Sequence, residues 1–389
     1  MRHRAGLPAR VAAVSFAVMW MPALASPLSS QVRIDSRAMQ LEVSGRLQFQ
    51  LQSSSCGEGT PDVTSSCNAG APELDMFLRR ARLAVEATID ERLTLKLEPD
   101  FSDVDEIALK DAWGRYAFST GLAVKAGHFN RPFDGFFLTS SSRLPFERAV
   151  VVPGVSGSAL SSYSGLTKTA GLSDRDIGLT IEGTHGDGRL AWWLGVFNGD
   201  SESGAQDTNT PKQFIGRARV SLEAGGMPLD VTGAVAHSDA PYVGTTGDPE
   251  AEHYTNFELW AGLGAWGRDG LLVHAGVVAG DNPHFNALGQ PIDLAAGDEF
   301  GDLVTWQAVA AYRISVPGTE AIEALSPLLR ISHGDPTDAA DDEVLAFTPG
   351  LALYFHGRNR LAMTWDLASF AADDVDAQNS FTAQMQFHF

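Results

Sequence analysis

The chain has 389 residues, with 48 acids against 28 bases and a formal net charge of −20. So acidic a protein is a poor partner for nucleic acid, which is held chiefly through Lys and Arg on phosphates. Beyond the N-terminal region there is no run of 18 apolar residues, so no membrane-spanning helix is expected; a mean hydropathy of −0.06 nevertheless suits transmembrane strands, whose lipid-facing and lumen-facing residues average out.

Residues 1–25 read as an export signal. Arg2, Arg4 and Arg10 precede the apolar run Val11 to Met21, and Ala23-Leu24-Ala25 supplies a small-x-small cleavage site. Setting them aside removes three bases and no acid, taking the net charge to about −23. A short segment, 26–42, leads into the fold, which is assigned to 43–389.

From there the text settles into strand-length segments of alternating polarity. Sixteen are read: 43–52, 77–88, 93–100, 111–118, 122–128, 176–185, 189–198, 214–224, 228–237, 254–267, 271–279, 304–314, 326–334, 344–355, 360–370 and 380–389. A merged or split hairpin would make the count 14 or 18. The first alternates cleanly, with Val43, Gly45, Leu47, Phe49 and Leu51 on one face and Arg46, Gln48, Gln50 and Gln52 on the other. The last does the same: Phe381, Ala383, Met385, Phe387 and Phe389 against Thr382, Gln384, Gln386 and His388.

The connections alternate in length. Long ones span 53–76, 129–175, 199–213, 238–253, 280–303, 335–343 and 371–379, with 101–110 and 315–325 of middling length. Tight turns fall between them, at 90–92, 119–121, 186–188, 225–227, 268–270 and 356–359, rich in the Gly and Asp that hairpins need. Short turns at one end, long loops at the other and an even strand count are the pattern of an all-β, antiparallel transmembrane barrel. In such a barrel the strand 380–389 must pair with the first, because an open edge in lipid leaves backbone groups without partners. The terminal Phe then belongs to the interfacial aromatic girdle.

Few motifs suggest chemistry. Cys56 and Cys67 share one loop with no further zinc ligands nearby; in an exported chain a loop-pinching disulfide is expected, worth about 2–3 kcal/mol. The ten His include no H-E-x-x-H and no pair at metal-ligand spacing, so neither metal nor cofactor is assigned. "GLGAWG", Gly262 to Gly267, matches the dinucleotide pattern but is placed in a strand, with none of the helix that pattern requires. The long loops from 199 to 379 hold twenty acids and one base, Lys212. This acid rim reads as a solvated surface or as one bridged to lipopolysaccharide by divalent cations.

Bases fall on the opposite face. If Ala81, Leu83, Val85 and Ala87 face lipid, Arg80, Arg82 and Glu86 face the lumen, and the same phasing sends Arg46, Lys96, Arg115, Lys125, Arg217, Arg219 and Arg330 inward. Glu98, Asp100, Asp111, Glu182, Glu223, Glu258 and Asp366 share those walls, so the lumen is of mixed charge.

Residues 77–150 carry a more specific signal. "FLRRARLAVEATIDERLTLKLEPDF", "LKDAWGRYA" and "LAVKAGHFNRPFDGFFLTSSSRLPFERAV" resemble the phosphate- and polyphosphate-selective outer-membrane porins of the O and P type. The resemblance implies a homotrimer of sixteen-stranded barrels in the outer membrane of a Gram-negative cell, each with its third long loop folded into the lumen. Here that loop is 129–175, the longest connection. Arg131, Arg143 and Arg148 are then candidates for an anion-attracting constriction, helped by Arg80, Arg82, Lys125, Arg217 and Arg219. The expected activity is passive diffusion of small hydrophilic solutes, anions such as phosphate favoured. The acid rim and balanced walls keep open a weakly selective or cation-preferring pore. A barrel-anchored enzyme or adhesin is the alternative of another class, and no convergent Ser/His/acid set or large external domain supports it.

Overall fold

The computed structural model describes residues 32–35, 39–55, 73–103, 105–150, 162–199, 212–239, 253–293, 298–339, 341–373 and 375–389. The two cysteines lie outside them. Strands follow one another along the chain as β1 (Val32–Asp35), β2 (Met39–Ser55), β3 (Glu73–Ile89), β4 (Leu93–Asp100), β5 (Ala108–Ser119) and β6 (Leu122–Asn130). After a long loop come β7 (Arg175–His185), β8 (Leu190–Phe197), β9 (Gln213–Ala224), β10 (Met227–Asp239), β11 (His253–Leu263) and β12 (Gly270–Asn286). The set ends with β13 (Phe300–Ser315), β14 (Ala324–Asp335), β15 (Val344–His356), β16 (Asn359–Phe370) and β17 (Gln378–His388).

Each strand from β2 onward pairs antiparallel with the next, and β17 returns to β2, from Asn379↔Ser55 to His388↔Arg46. The sixteen strands β2–β17 therefore form a closed barrel with no free edge in its wall. Gly45 and Phe389 seal the seam with two backbone hydrogen bonds of 2.9 and 3.0 Å. A Cβ on Gly45 would lie 2.4 Å from the Phe389 ring, so the terminal aromatic covers a residue that has no room for a side chain. Where β17 ends, β1 takes over the same edge of β2, with Val32↔Val43 in register. This four-residue strand was not expected, and β2 starts at Met39, four residues before the alternation became clean.

Outside, the alternation behaves as expected. Phe257 and Leu259 are each 58% exposed, while Asn256, Glu258 and Trp260 between and beside them are buried. On β17, Ser380, Thr382, Gln384 and Gln386 are buried and Phe387 points out. In water such a belt would be a liability; against lipid it is the favourable surface.

Inside, the wall is not polar throughout. From β9 to β14 the inner face carries Ile215, Tyr254, Trp260, Leu272, Val278, Leu303, Val309 and Leu328, all buried. They form one apolar cluster with Phe133, Phe136, Tyr163, Leu166 and Leu172 of the loop between β6 and β7. A loop that fills half a lumen expels water there, and its side chains need apolar partners across the gap. The barrel is thus an apolar half stacked on the loop and a polar half made by β2–β7 and β15–β17.

The "GLGAWG" stretch also differs from expectation. β11 stops at Leu263, and Gly264 and Gly267 both have φ of 82° in the turn that follows. A Cβ on Gly264 would lie 2.4 Å from the Leu271 carbonyl oxygen, so this glycine is required by the hairpin.

Candidate functional site in the lumen

The β6–β7 loop carries two short helices, α1 (Gly135–Leu138) and α2 (Tyr163–Thr169). Its 151–161 segment is outside the described residues. Asp134 caps α1, its Oδ1 accepting from the Phe136 and Phe137 amides at 2.9 and 3.0 Å, and its Oδ2 accepting from the Thr167 hydroxyl of α2 at 2.7 Å. Glu258 of β11 accepts the Asp134 and Gly135 amides at 3.1 and 2.6 Å and is held in turn by Arg217 at 3.2 Å. Helix starts of this kind leave amides without partners, and a wall carboxylate satisfies two of them.

Across the lumen the loop is bound by wall arginines and glutamines. Arg330 donates to the carbonyls of Glu147 and Arg148 at 2.7 and 3.1 Å, and to Asp366 at 2.7 Å. Arg360 donates to the Ser142 carbonyl at 2.7 Å and also to that of Leu144. Gln386 and Gln48 reach the carbonyls of Ser142 and Ser141 at 3.0 and 3.3 Å. Glu147 closes the arrangement. Its carboxylate meets Arg80 at 2.9 Å, Gln50 at 2.7 Å, Gln384 at 3.0 Å and Arg79 at 3.4 Å. Both Arg79 and Arg80 can reach it because the β2–β3 register slips between Gln48 and Phe49, leaving Arg79 as an extra residue.

The polar half of the wall carries a ladder of ion pairs. Arg46 meets Glu98 at 2.7 Å, Arg82 meets Asp100 at 2.6 Å, and Lys96 meets Asp111 at 2.6 Å and Glu98 at 3.0 Å. Arg175 completes it on Asp111 at 2.7 Å. Between this ladder and the loop lies a cavity of about 200 Å³, lined by Arg46, Arg82, Lys96, Glu98, Arg358 and His388 among others. A second cavity, about 230 Å³, opens between β6–β9 and the loop, lined by Lys125, Phe129, Glu182, Trp193, Arg217 and Arg219. Here Lys125 Nζ sits 4.3 Å from the centre of the Trp113 ring and 4.2 Å from that of Phe129, and the Arg219 guanidinium is 5.8 Å from Trp193. Glu182 is bonded to Arg115 at 2.8 Å.

The candidate bases therefore separate into groups. Lys125 and Arg219 line the second cavity and rest on aromatic faces. Arg82 lines the first cavity and Arg217 the second, each ion-paired; Arg80 is buried against Glu147. Arg143 is exposed on the loop. Arg148 is turned back onto its own loop, donating to the Thr139 carbonyl at 2.6 Å and lying over Phe137. Arg131 has no exposed surface; it binds Asp176 at 2.8 Å and the Gly171 carbonyl, holding the two ends of the loop together. Arg79, Arg175, Arg358 and Arg360 were not picked out from sequence. Arg360 was within reach, since it shares an inward phase with Thr364 and Asp366 on β16; Arg79 was not, because a bulge cannot be seen in alternation alone.

A family model described as "Phosphate-selective porin O and P" matches residues 69–259, which include the motif run, the loop and its docking strand β11. Over that stretch, just under half of the chain, it is similar to this porin family. Solved structures share this fold at low identity. An anion-selective porin from Comamonas acidovorans superposes with a TM-score of 0.61 at 11% identity, covering 90% of this chain and 100% of that one. The outer membrane channel DcaP of Acinetobacter baumannii gives 0.57 at 11%, covering 91% and 99%. OmpT of Vibrio cholerae gives 0.55 at 12%, covering 92% and 100%. No curated protein matches the chain. The family match over residues 69–259 and the closed barrel support an outer-membrane channel.

Proposed function

We propose that this porin is a passive diffusion channel for small hydrophilic solutes that favours anions, phosphate and polyphosphate among them. The carrying observation is an imbalance of partners. Among the described residues, the wall carboxylates Glu98, Asp100, Asp111, Glu182, Glu258 and Asp366 are each bonded to a base. Lys125 and Arg219 rest on aromatic rings instead, and Arg358 and Arg360 on hydroxyl, imidazole or carbonyl groups, with no carboxylate at ion-pairing distance. The second cavity therefore holds spare positive charge although the chain as a whole is acidic. Low-dielectric walls enlarge the effect of such charges on a passing ion.

In this reading Lys125 and Arg219 attract the anion, exposed Arg143 meets it on the loop, and Arg80, Arg82, Arg131, Arg148 and Arg217 hold the shape of the passage. The barrel sits among outer-membrane lipid and lipopolysaccharide as a homotrimer, exported with residues 1–25 as its leader. The likeness to an anion-selective porin and to a trimer form of OmpT supports the same reading. One observation favours the opposite preference at the mouth: Asp338, Asp342 and Glu343 crowd one external loop, and burial together with Glu343 and Asp338 raises the Asp342 carboxyl above its usual range.

Planar-bilayer recordings in chloride test the phosphate claim. Added phosphate is expected to lower the chloride current along a saturable curve, and Lys125→Gln to shift that curve to higher phosphate. A chloride current indifferent to phosphate in the unmodified porin would reject phosphate as a ligand of the lumen.

A further inference from the structure

We infer that the outer rim of the β10–β11 hairpin is a binding site for one divalent transition-metal ion, Zn²⁺ in the first instance, held by His237, Asp239 and His253. The three were invisible as a motif because the long connection 240–252 separates His253 from His237 and Asp239 in the chain. Pairing brings them together. Asp239 stands directly opposite His253, and His237 lies two residues before Asp239 on the same outward face. One ligand atom from each lies within 4.8 Å of the other two.

The hydrogen bonds around the three side chains suit a metal. His237 Nδ1 is 2.8 Å from the Thr255 hydroxyl, a contact that fixes the ring and leaves its Nε2 for an ion. The His237 and His253 rings are tilted by 30° with centroids 5.4 Å apart. His253 Nδ1 and Asp239 Oδ1 are 2.5 Å apart, so an imidazole and a carboxylate already face each other across the strand pair. Thr255 is itself fixed by Asp281, which accepts its amide at 2.7 Å. Two imidazoles and one carboxylate favour zinc and its neighbours over Ca²⁺ or Mg²⁺, which take oxygen-rich shells. Three protein ligands leave a fourth position for water or an outside anion. An ion there clips β10 to β11 at the root of the loop that joins them.

The test uses the full, tag-free porin in detergent with Zn²⁺ alone as the probe. Calorimetry is expected to show one saturable ion per chain, unaffected by millimolar Mg²⁺, and His237→Ala and His253→Ala are each expected to weaken it about tenfold or more. In the unmodified chain, Zn²⁺ is expected to slow diethyl pyrocarbonate modification of His237 and His253 but not of exposed His185, which keeps the test independent of any variant's folding. Equal binding by the double variant, equal protection of all three histidines, or no saturable binding overturns the site.

Discussion

Reversing two charges together, Lys125→Glu with Arg219→Glu, is expected to turn the channel from anion-preferring to cation-preferring. Both side chains line the same cavity, and neither has a carboxylate that would rearrange to compensate. A unit charge at 4 Å acts on an ion with about 1 kcal/mol in bulk water and about 4 kcal/mol in a partly shielded site. Reversal applies the change twice, about 2 kcal/mol at the watery limit, which is roughly a thirtyfold shift in the entry of each ion for each residue. The same reversal at Arg82 is a useful contrast. It would leave Asp100 and Glu98 beside a new acid, so misfolding is the expected result there rather than a clean change in selectivity.

The second large effect is expected from Glu147→Gln. Glu147 is buried, and four wall side chains converge on it from β2, β3 and β17. Removing its charge leaves Arg80 buried without its counter-ion, a loss of about 3–5 kcal/mol by the behaviour of broken buried pairs. Because Glu147 is the loop's carboxylate hold on that wall, the cost falls on docking of the loop. Larger and noisier single-channel currents are expected, together with a lower unfolding temperature. Burial pushes the Glu147 carboxyl up, but the Arg80 and Arg79 charges and the Arg80 hydrogen bond prevail and hold it below the usual range. Its folded-state pKa is therefore depressed, so the stabilisation is complete above the ordinary glutamate value and disappears as pH falls through the lower folded value. The unmodified channel should keep its quiet conductance at pH 5 and lose it only in strongly acid buffer. In Glu147→Gln that acid transition should be absent, and an unchanged transition would assign it elsewhere.

The strands were legible because a period of two is imposed by the barrel itself: one face must meet lipid, so register and phase are written into β2, β11 and β17 residue by residue. Where a strand gave little such contrast, reading failed. β1, Val-Arg-Ile-Asp, is too short to show a period, and the "DNPHFN" end of β12 has the composition of a turn yet continues the strand. The apolar half of the lumen was hidden for a different reason. Alternation distinguishes two faces but does not say what stands opposite each, and only the docked loop makes Ile215 or Trp260 sensible inward residues. Charge type at the candidate site was readable, whereas its use was not. Arg131 and Arg148 have the right chemistry for an anion constriction but spend it on Asp176 and on loop carbonyls, choices made by three-dimensional proximity.

The most direct measurement of the central claim is the zero-current potential of the unmodified porin in a planar bilayer under a tenfold KCl gradient. Spare cations over aromatic faces in the second cavity, whose lining acid Glu182 is engaged by Arg115, predict a potential of anion sign, reduced by Arg219→Gln. A potential of cation sign would mean that the external acids govern passage, and would contradict the account.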